Sequence, residues 1–147
     1  MPIRAGIHHL DLSVSDLERS ARFYDRVLTR IGYRRIDLST TGSTEYDWAP
    51  IDGDDRFSIG LYVAIDRNGV YDRHAPGIHH LALRAKSRAE VDDLYRELLA
   101  MNAEILDVPA EYPKYEPGYY AVFFRDPDGI KLEYVFTPVA NQPKPAA

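Results

Sequence analysis

The stretch Gly6-Ile7-His8-His9-Leu10-Asp11-Leu12 returns seventy-one residues later as Gly77-Ile78-His79-His80-Leu81-Ala82-Leu83. A five-residue identity in a chain of 147 residues makes duplication the first question, since a long internal period means stacked copies of one supersecondary unit. In the first copy Leu10, Leu12 and Val14 alternate with His9, Asp11 and Ser13, the period of a half-buried strand. Ser15-Asp16-Leu17-Glu18 then has capping-box spacing with Ser15 as the expected cap. Leu17, Ala21, Tyr24, Leu28 and Ile31 recur at helical spacing until Gly32, which enters the left-handed conformation cheaply. Residues 33–39, 45–50 and 57–64 read as three strands separated by turn-rich segments. The unit is β-α-β-β-β.

The order then restarts. Residues 78–85 form a strand, Ser87-Arg88-Ala89-Glu90 repeats the capping spacing, and Val91, Leu94, Leu98 and Met101 predict a helix ending near Asn102. The same separation carries Tyr24 and Leu28 onto Tyr95 and Leu99. A strand over 104–108 and a hairpin of 119–125 and 130–136, turning at Asp126-Pro127-Asp128-Gly129, complete a second β-α-β-β-β unit. Between them the Pro- and Tyr-rich segment 109–118 reads equally as a binding lid or a solvated connector. The expected organisation is one domain over 1–147: a module at 6–65, a linker at 66–76, a second module at 77–137 and a disordered tail at 138–147.

Composition narrows the function classes. A hydrophobic fraction of 45% with 28% charged residues is ordinary for a globular protein, and no apolar run approaches a membrane span. Cysteine is absent, which removes disulfides, thiolate metal sites and cysteine nucleophiles together. The net charge of −5, without a basic face, argues against nucleic acid as a partner. The first residues, Met1-Pro2-Ile3-Arg4-Ala5, carry no apolar signal-peptide core, so a cytoplasmic protein is expected.

Alignment of the last strands of the two units sets Gly60 against Glu133. By alternation His9 and His80 share the inward faces with these positions, so two histidines and one carboxylate face inward, while His8 and His79 are expected on the helix-covered side. Two phrases carry a resemblance: His9-Leu10-Asp11-Leu12-Ser13-Val14-Ser15-Asp16-Leu17-Glu18-Arg19-Ser20 with Phe23-Tyr24, and Phe124-Arg125-Asp126-Pro127-Asp128-Gly129-Ile130-Lys131-Leu132-Glu133. Over roughly residues 6–136 the chain resembles the vicinal oxygen chelate superfamily of glyoxalase I, fosfomycin- and bleomycin-resistance proteins and extradiol dioxygenases.

That resemblance implies an α+β fold in which two βαβββ modules form a cupped mixed sheet, a half-barrel with its helices outside. It implies metal ligands at His9, His80 and Glu133 and one divalent ion, Fe(II), Mn(II), Zn(II) or Ni(II). It also implies a homodimer and a small substrate with vicinal oxygens, acted on by a lyase, isomerase, ring-cleaving dioxygenase or thiol transferase. Gly60 stands where four-ligand members carry a second glutamate, which argues against a glyoxalase I. Beside Glu133, the candidates for proton transfer or anion binding are Tyr62, Arg84 and Lys131, which with Asp11 and Ser58 are expected to face the cup by strand parity, and Tyr115 or Tyr119, which could close over it from the loop. The competing expectation is a metal-free protein of the bleomycin-resistance type that sequesters an aromatic compound.

Overall fold

The computed structural model describes residues 6–36, 45–52 and 57–139. The chain forms two compact units, Met1–Val70 and Tyr71–Ala147. The expected turn at 40–43, all but Asp52 of the one at 52–55, and nearly all of the tail lie outside the described residues.

The first unit runs β1 (His9–Val14), α1 (Leu17–Arg30), β2 (Tyr33–Ile36), β3 (Tyr46–Pro50) and β4 (Ser58–Val63). Its sheet has the order β1-β4-β3-β2, with β1 parallel to β4 and the other pairs antiparallel. The alternation in β1 and β4 fixes which side is dry: Leu12, Val14, Ile59 and Leu61 are buried together with Tyr24, Val27 and Leu28 of α1. Trp48 joins them at 0% exposure, and its indole nitrogen donates to Asp25 Oδ1 at 2.8 Å. Asp25 Oδ2 also takes Arg35 at 3.0 Å, and that guanidinium lies 3.7 Å from the Tyr46 ring centroid. The helix cap is Asp16, whose carboxylate accepts from the Arg19 backbone N–H at 2.9 Å, rather than Ser15. Ser15 is occupied by the Arg19 side chain instead. Gly32 ends the helix as expected, at φ +94°.

The second unit runs β5 (Leu81–Arg84), α2 (Arg88–Ala100), β6 (Glu104–Glu111), β7 (Tyr120–Arg125) and β8 (Lys131–Phe136), in the order β5-β8-β7-β6 with β5 parallel to β8. Here the capping serine is the one expected: Ser87 accepts from the Glu90 N–H at 3.2 Å, and Glu90 reaches back to the Lys86 N–H at 2.8 Å. Asn102 at φ 52° closes the helix. Val91, Leu94 and Leu98 are buried with Val122, Phe124 and Leu132. At the repeat separation these helix positions match Ser20, Phe23 and Val27, whereas Leu99, the counterpart of fully buried Leu28, is 50% exposed. The repeat therefore preserves the helix register but narrows its apolar face.

Strand β6 is longer than expected and takes in Pro109, Ala110 and Glu111, so the long segment begins as strand. An edge position makes this possible, because a proline there gives up no ladder hydrogen bond, and the β6–β7 register shifts between Ile105 and Ala110. The 126–129 turn is locked by Asp126, whose Oδ1 accepts from the Asp128 and Ile130 N–H groups. Each unit is thus the expected βαβββ module with a four-stranded mixed sheet. Among the described residues no helix is long and apolar enough to cross a membrane.

Candidate functional site

The ladders confirm the central equivalence between the two sheets. Gly60 on β4 is paired with Asp11 on β1 and Asp47 on β3, while Glu133 on β8 is paired with Ala82 on β5 and Phe123 on β7. Tyr134 and Tyr120 reach Glu90 and Asp92 of α2, so alternation turns Lys131, Glu133 and Val135 to the face of the second sheet away from its helix.

That face is largely apolar. Ala121, Phe123 and Val135 are buried on it, with Leu106, Tyr112 and Tyr119 packed against them. Glu133 lies among them with a side chain only 3% exposed, a position an ionised carboxylate tolerates only when both oxygens are partnered. Both are: the Tyr119 hydroxyl donates to Oε1, and His80 Nε2 lies 3.1 Å from Oε2. His80 Nδ1 in turn meets His79 Nδ1 at 2.8 Å. Burial raises the Tyr119 hydroxyl pKa above the usual phenol range, with the bonded Glu133 adding to it. Partial desolvation lowers the pKa of His79, with His80, Arg73, Lys131 and His74 adding to it.

Two aromatic rings continue outward from Tyr119. The Tyr115 ring centroid lies 5.2 Å from that of Tyr119, and Tyr112 stacks on Tyr115 at 6.0 Å and 27°. Lys131 lies on the same strand face as Glu133, with Nζ 4.3 Å from the Phe123 ring centroid, and burial followed by the nearby Arg73 charge lowers its pKa. Arg84 is exposed at the end of β5, two residues past the partner of Glu133.

The corresponding face of the first sheet is polar. His9 is exposed, with Nε2 3.6 Å from Asp11 Oδ2 and Nδ1 2.9 Å from His8 Nδ1. Gly60 is buried, and the space beside it is filled: a Cβ there would collide with Asp11 Oδ1 and stand 2.8 Å from Asp47 Oδ1. Burial raises the Asp47 pKa, with Asp11 and then Glu45 adding to it and His9 opposing. Tyr62 is 40% exposed and bonded to Glu45, and Ser58 pairs with His9 in the ladder.

One expectation is overturned in both units. His8 and His79 are exposed and lie against the rings of His9 and His80 instead of entering the helix-covered side. The physical reason is that β1 starts at His9 and β5 only at Leu81, so strand alternation does not extend to either residue. Within the second unit the structure brings together His80, Glu133, Lys131, Tyr115 and Tyr119; His9, Asp11, Ser58 and Tyr62 belong to the first. Asp47 escaped the sequence reading, since its place beside Gly60 depends on the β3–β4 register, which no local motif encodes. The donor pair His80 and Glu133, one imidazole nitrogen and one carboxylate oxygen facing each other, fits a divalent ion. Among the described residues neither unit by itself gathers three such side chains.

Comparison with known proteins agrees with this architecture. A profile described as Glyoxalase/Bleomycin resistance protein/Dioxygenase superfamily matches residues 6–134. The chain is 34% identical to the uncharacterized protein YqjT of Bacillus subtilis over 88% of its length and 97% of that protein. It is 28% identical to the metallothiol transferase FosB of Shouchella clausii, over 87% of this chain and 77% of the other. The solved glyoxylase/bleomycin resistance protein/dioxygenase domain from Frankia sp. EAN1pec superposes with a TM-score of 0.68 at 26% identity, covering 90% of this chain and 91% of that one.

Proposed function

The chain belongs to the Glyoxalase/Bleomycin resistance protein/Dioxygenase superfamily, and from that premise we propose that it is an enzyme that uses one divalent metal ion to act on a small molecule with adjacent oxygens. The observation that carries this reading is the buried Glu133 carboxylate facing His80 Nε2 at 3.1 Å, on a largely apolar face. His80 and Glu133 would hold the ion with His9 as the third ligand. A bound ion would supply Lewis acidity to the substrate oxygens and stabilise negative charge that develops on them.

The protein's own groups do the rest. Tyr119 holds the Glu133 carboxylate in place, the apolar Phe123 and Tyr112 exclude water around it, and Lys131 offers positive charge on the same strand face. Tyr62, Tyr115 and Arg84 are the further candidates for contact with substrate. Glycine at position 60 favours a three-ligand reaction, of which thiol transfer is one, over a four-ligand glyoxalase I reaction. The same reading includes a homodimer, checked by light scattering.

The test is metal binding. Chelator-stripped protein titrated with Mn(II), Fe(II), Zn(II) or Ni(II) should take up one ion per chain, and His80→Ala or Glu133→Ala should abolish uptake. No stoichiometric binding of any of the four ions would refute the reading. A second reading draws on the stacked Tyr112 and Tyr115 rings: metal-free capture of a flat aromatic compound. Thermal stabilisation by aromatic ligands that survives chelation and His80→Ala would favour it.

A further inference from the structure

Glu133 has two oxygens in unequal surroundings. Oε2 faces His80, whose ring is about one-third exposed, whereas Oε1 takes the hydroxyl of Tyr119. A phenol hydroxyl donating to an ionised carboxylate is a charge-assisted hydrogen bond, one of the stronger interactions available to this side chain. Tyr119 is also held from the side, by the Tyr112 ring at 6.5 Å and the Tyr115 ring at 5.2 Å, and it packs against the apolar cluster that contains Phe123. The hydroxyl therefore has a fixed direction and little freedom to release Oε1. Strand alternation does not demand this contact, because Tyr119 precedes β7; the backbone bonds between Tyr112 and Tyr119 and between Tyr119 and Glu116 bring it there.

We propose that Tyr119 is a positioning residue that reserves one oxygen of Glu133 and so leaves only Oε2, the oxygen facing His80, to a bound cation. The proposal rests on the metal reading above. A carboxylate that gives one oxygen occupies one coordination position where one that gives both occupies two, so the phenol keeps a position open for a substrate oxygen.

The carboxylate itself reports which state it is in. The infrared asymmetric and symmetric stretches of Glu133, identified by their loss in Glu133→Gln, are widely separated when one oxygen binds a cation and closer together when both do. Mn(II)-loaded wild-type protein should show the wide separation, and Tyr119→Phe, which keeps the ring and removes only the hydroxyl, should narrow it. Tyr112→Phe, which removes a hydroxyl from the same cluster without touching Glu133, should match the wild type. Thermal melts of both variants show whether each is folded; if Tyr119→Phe is not, Tyr119→His, which restores a donor, should give the wide separation. Identical Mn(II)-induced separations in wild type and Tyr119→Phe would overturn the role of Tyr119 while leaving the metal reading intact. No Mn(II)-induced change in any of the proteins would overturn both.

Discussion

Asp47→Asn should stabilise this protein at neutral pH, an unusual direction for a half-buried substitution. Both Asp11 Oδ1 and Asp47 Oδ1 lie under 3.0 Å from the point where a Cβ of Gly60 would sit. The two carboxylate oxygens are therefore at most about 6 Å apart, where two like charges repel by roughly 0.7 kcal/mol at the dielectric of water and about 3 kcal/mol at an effective value near 20. The Asp11 side chain is 38% exposed, so solvent screening sets the figure near the lower end, at about 1 kcal/mol. Asparagine keeps the shape of Asp47 and removes its charge. For a chain of this size about 1 kcal/mol corresponds to a rise in Tm of roughly 2–4 °C. The pH dependence gives the sign an independent check. The folded pKa of Asp47 is raised above the ordinary 3.8, so ionising it costs more in the folded than in the unfolded chain. Wild-type stability is accordingly lost as pH rises through that raised value, and the advantage of the variant appears over the same interval. Thermal melts from pH 3 to 8 should show a gain at pH 7 that vanishes below the unfolded pKa and shrinks with added salt. A gain equal at pH 3 and pH 7, or a loss at pH 7, would refute the reasoning.

Two further substitutions test other parts of the structure. Tyr119→Phe leaves Glu133 Oε1 buried without its donor and should cost about 2 kcal/mol in urea unfolding of the metal-free protein; a cost below about 0.5 kcal/mol would mean that another donor replaces the phenol. Asp25→Ala strips the acceptor from the indole N–H of fully buried Trp48 and from Arg35, and should lower stability by about 1–3 kcal/mol with a change in Trp48 fluorescence. Unchanged emission with unchanged stability would argue against that network.

Most of the architecture was legible because it rests on short-range signals. The alternation in β1 and β4, the helical spacing of the two amphipathic segments, Gly32 at a helix end and the Asp126 to Gly129 turn each follow from a few consecutive residues. The repeat added what local signals lack, the equivalence of Gly60 and Glu133, which the ladders reproduce. What remained illegible depends on register and on strand boundaries. Ser15 and Asp16 are both good caps, and only the packing of the first turn decides between them. The orientation of His8 and His79 depended on where β1 and β5 begin, and Asp47 on which residue of β3 lies opposite Gly60. Tyr119 was visible as a candidate, but its tie to Glu133 joins two residues fourteen positions apart across a hairpin.

The duplication explains why one sheet carries the buried carboxylate and the other does not. In the second unit Ala82 and Phe123 flank Glu133, one too small and one too apolar to compete with it, so a single carboxylate is isolated and partnered from above by Tyr119 and His80. In the first unit the flanking positions are Asp11 and Asp47, and their oxygens crowd the space in which a side chain on residue 60 would begin. A glutamate at position 60 would set a third carboxylate against two, and both aspartate side chains would have to rotate aside to admit it. The two sheets thus place their acidic groups differently at the three aligned positions: one on the central strand in the second, two on its neighbours in the first. Glycine at position 60 leaves that space to the two aspartate side chains.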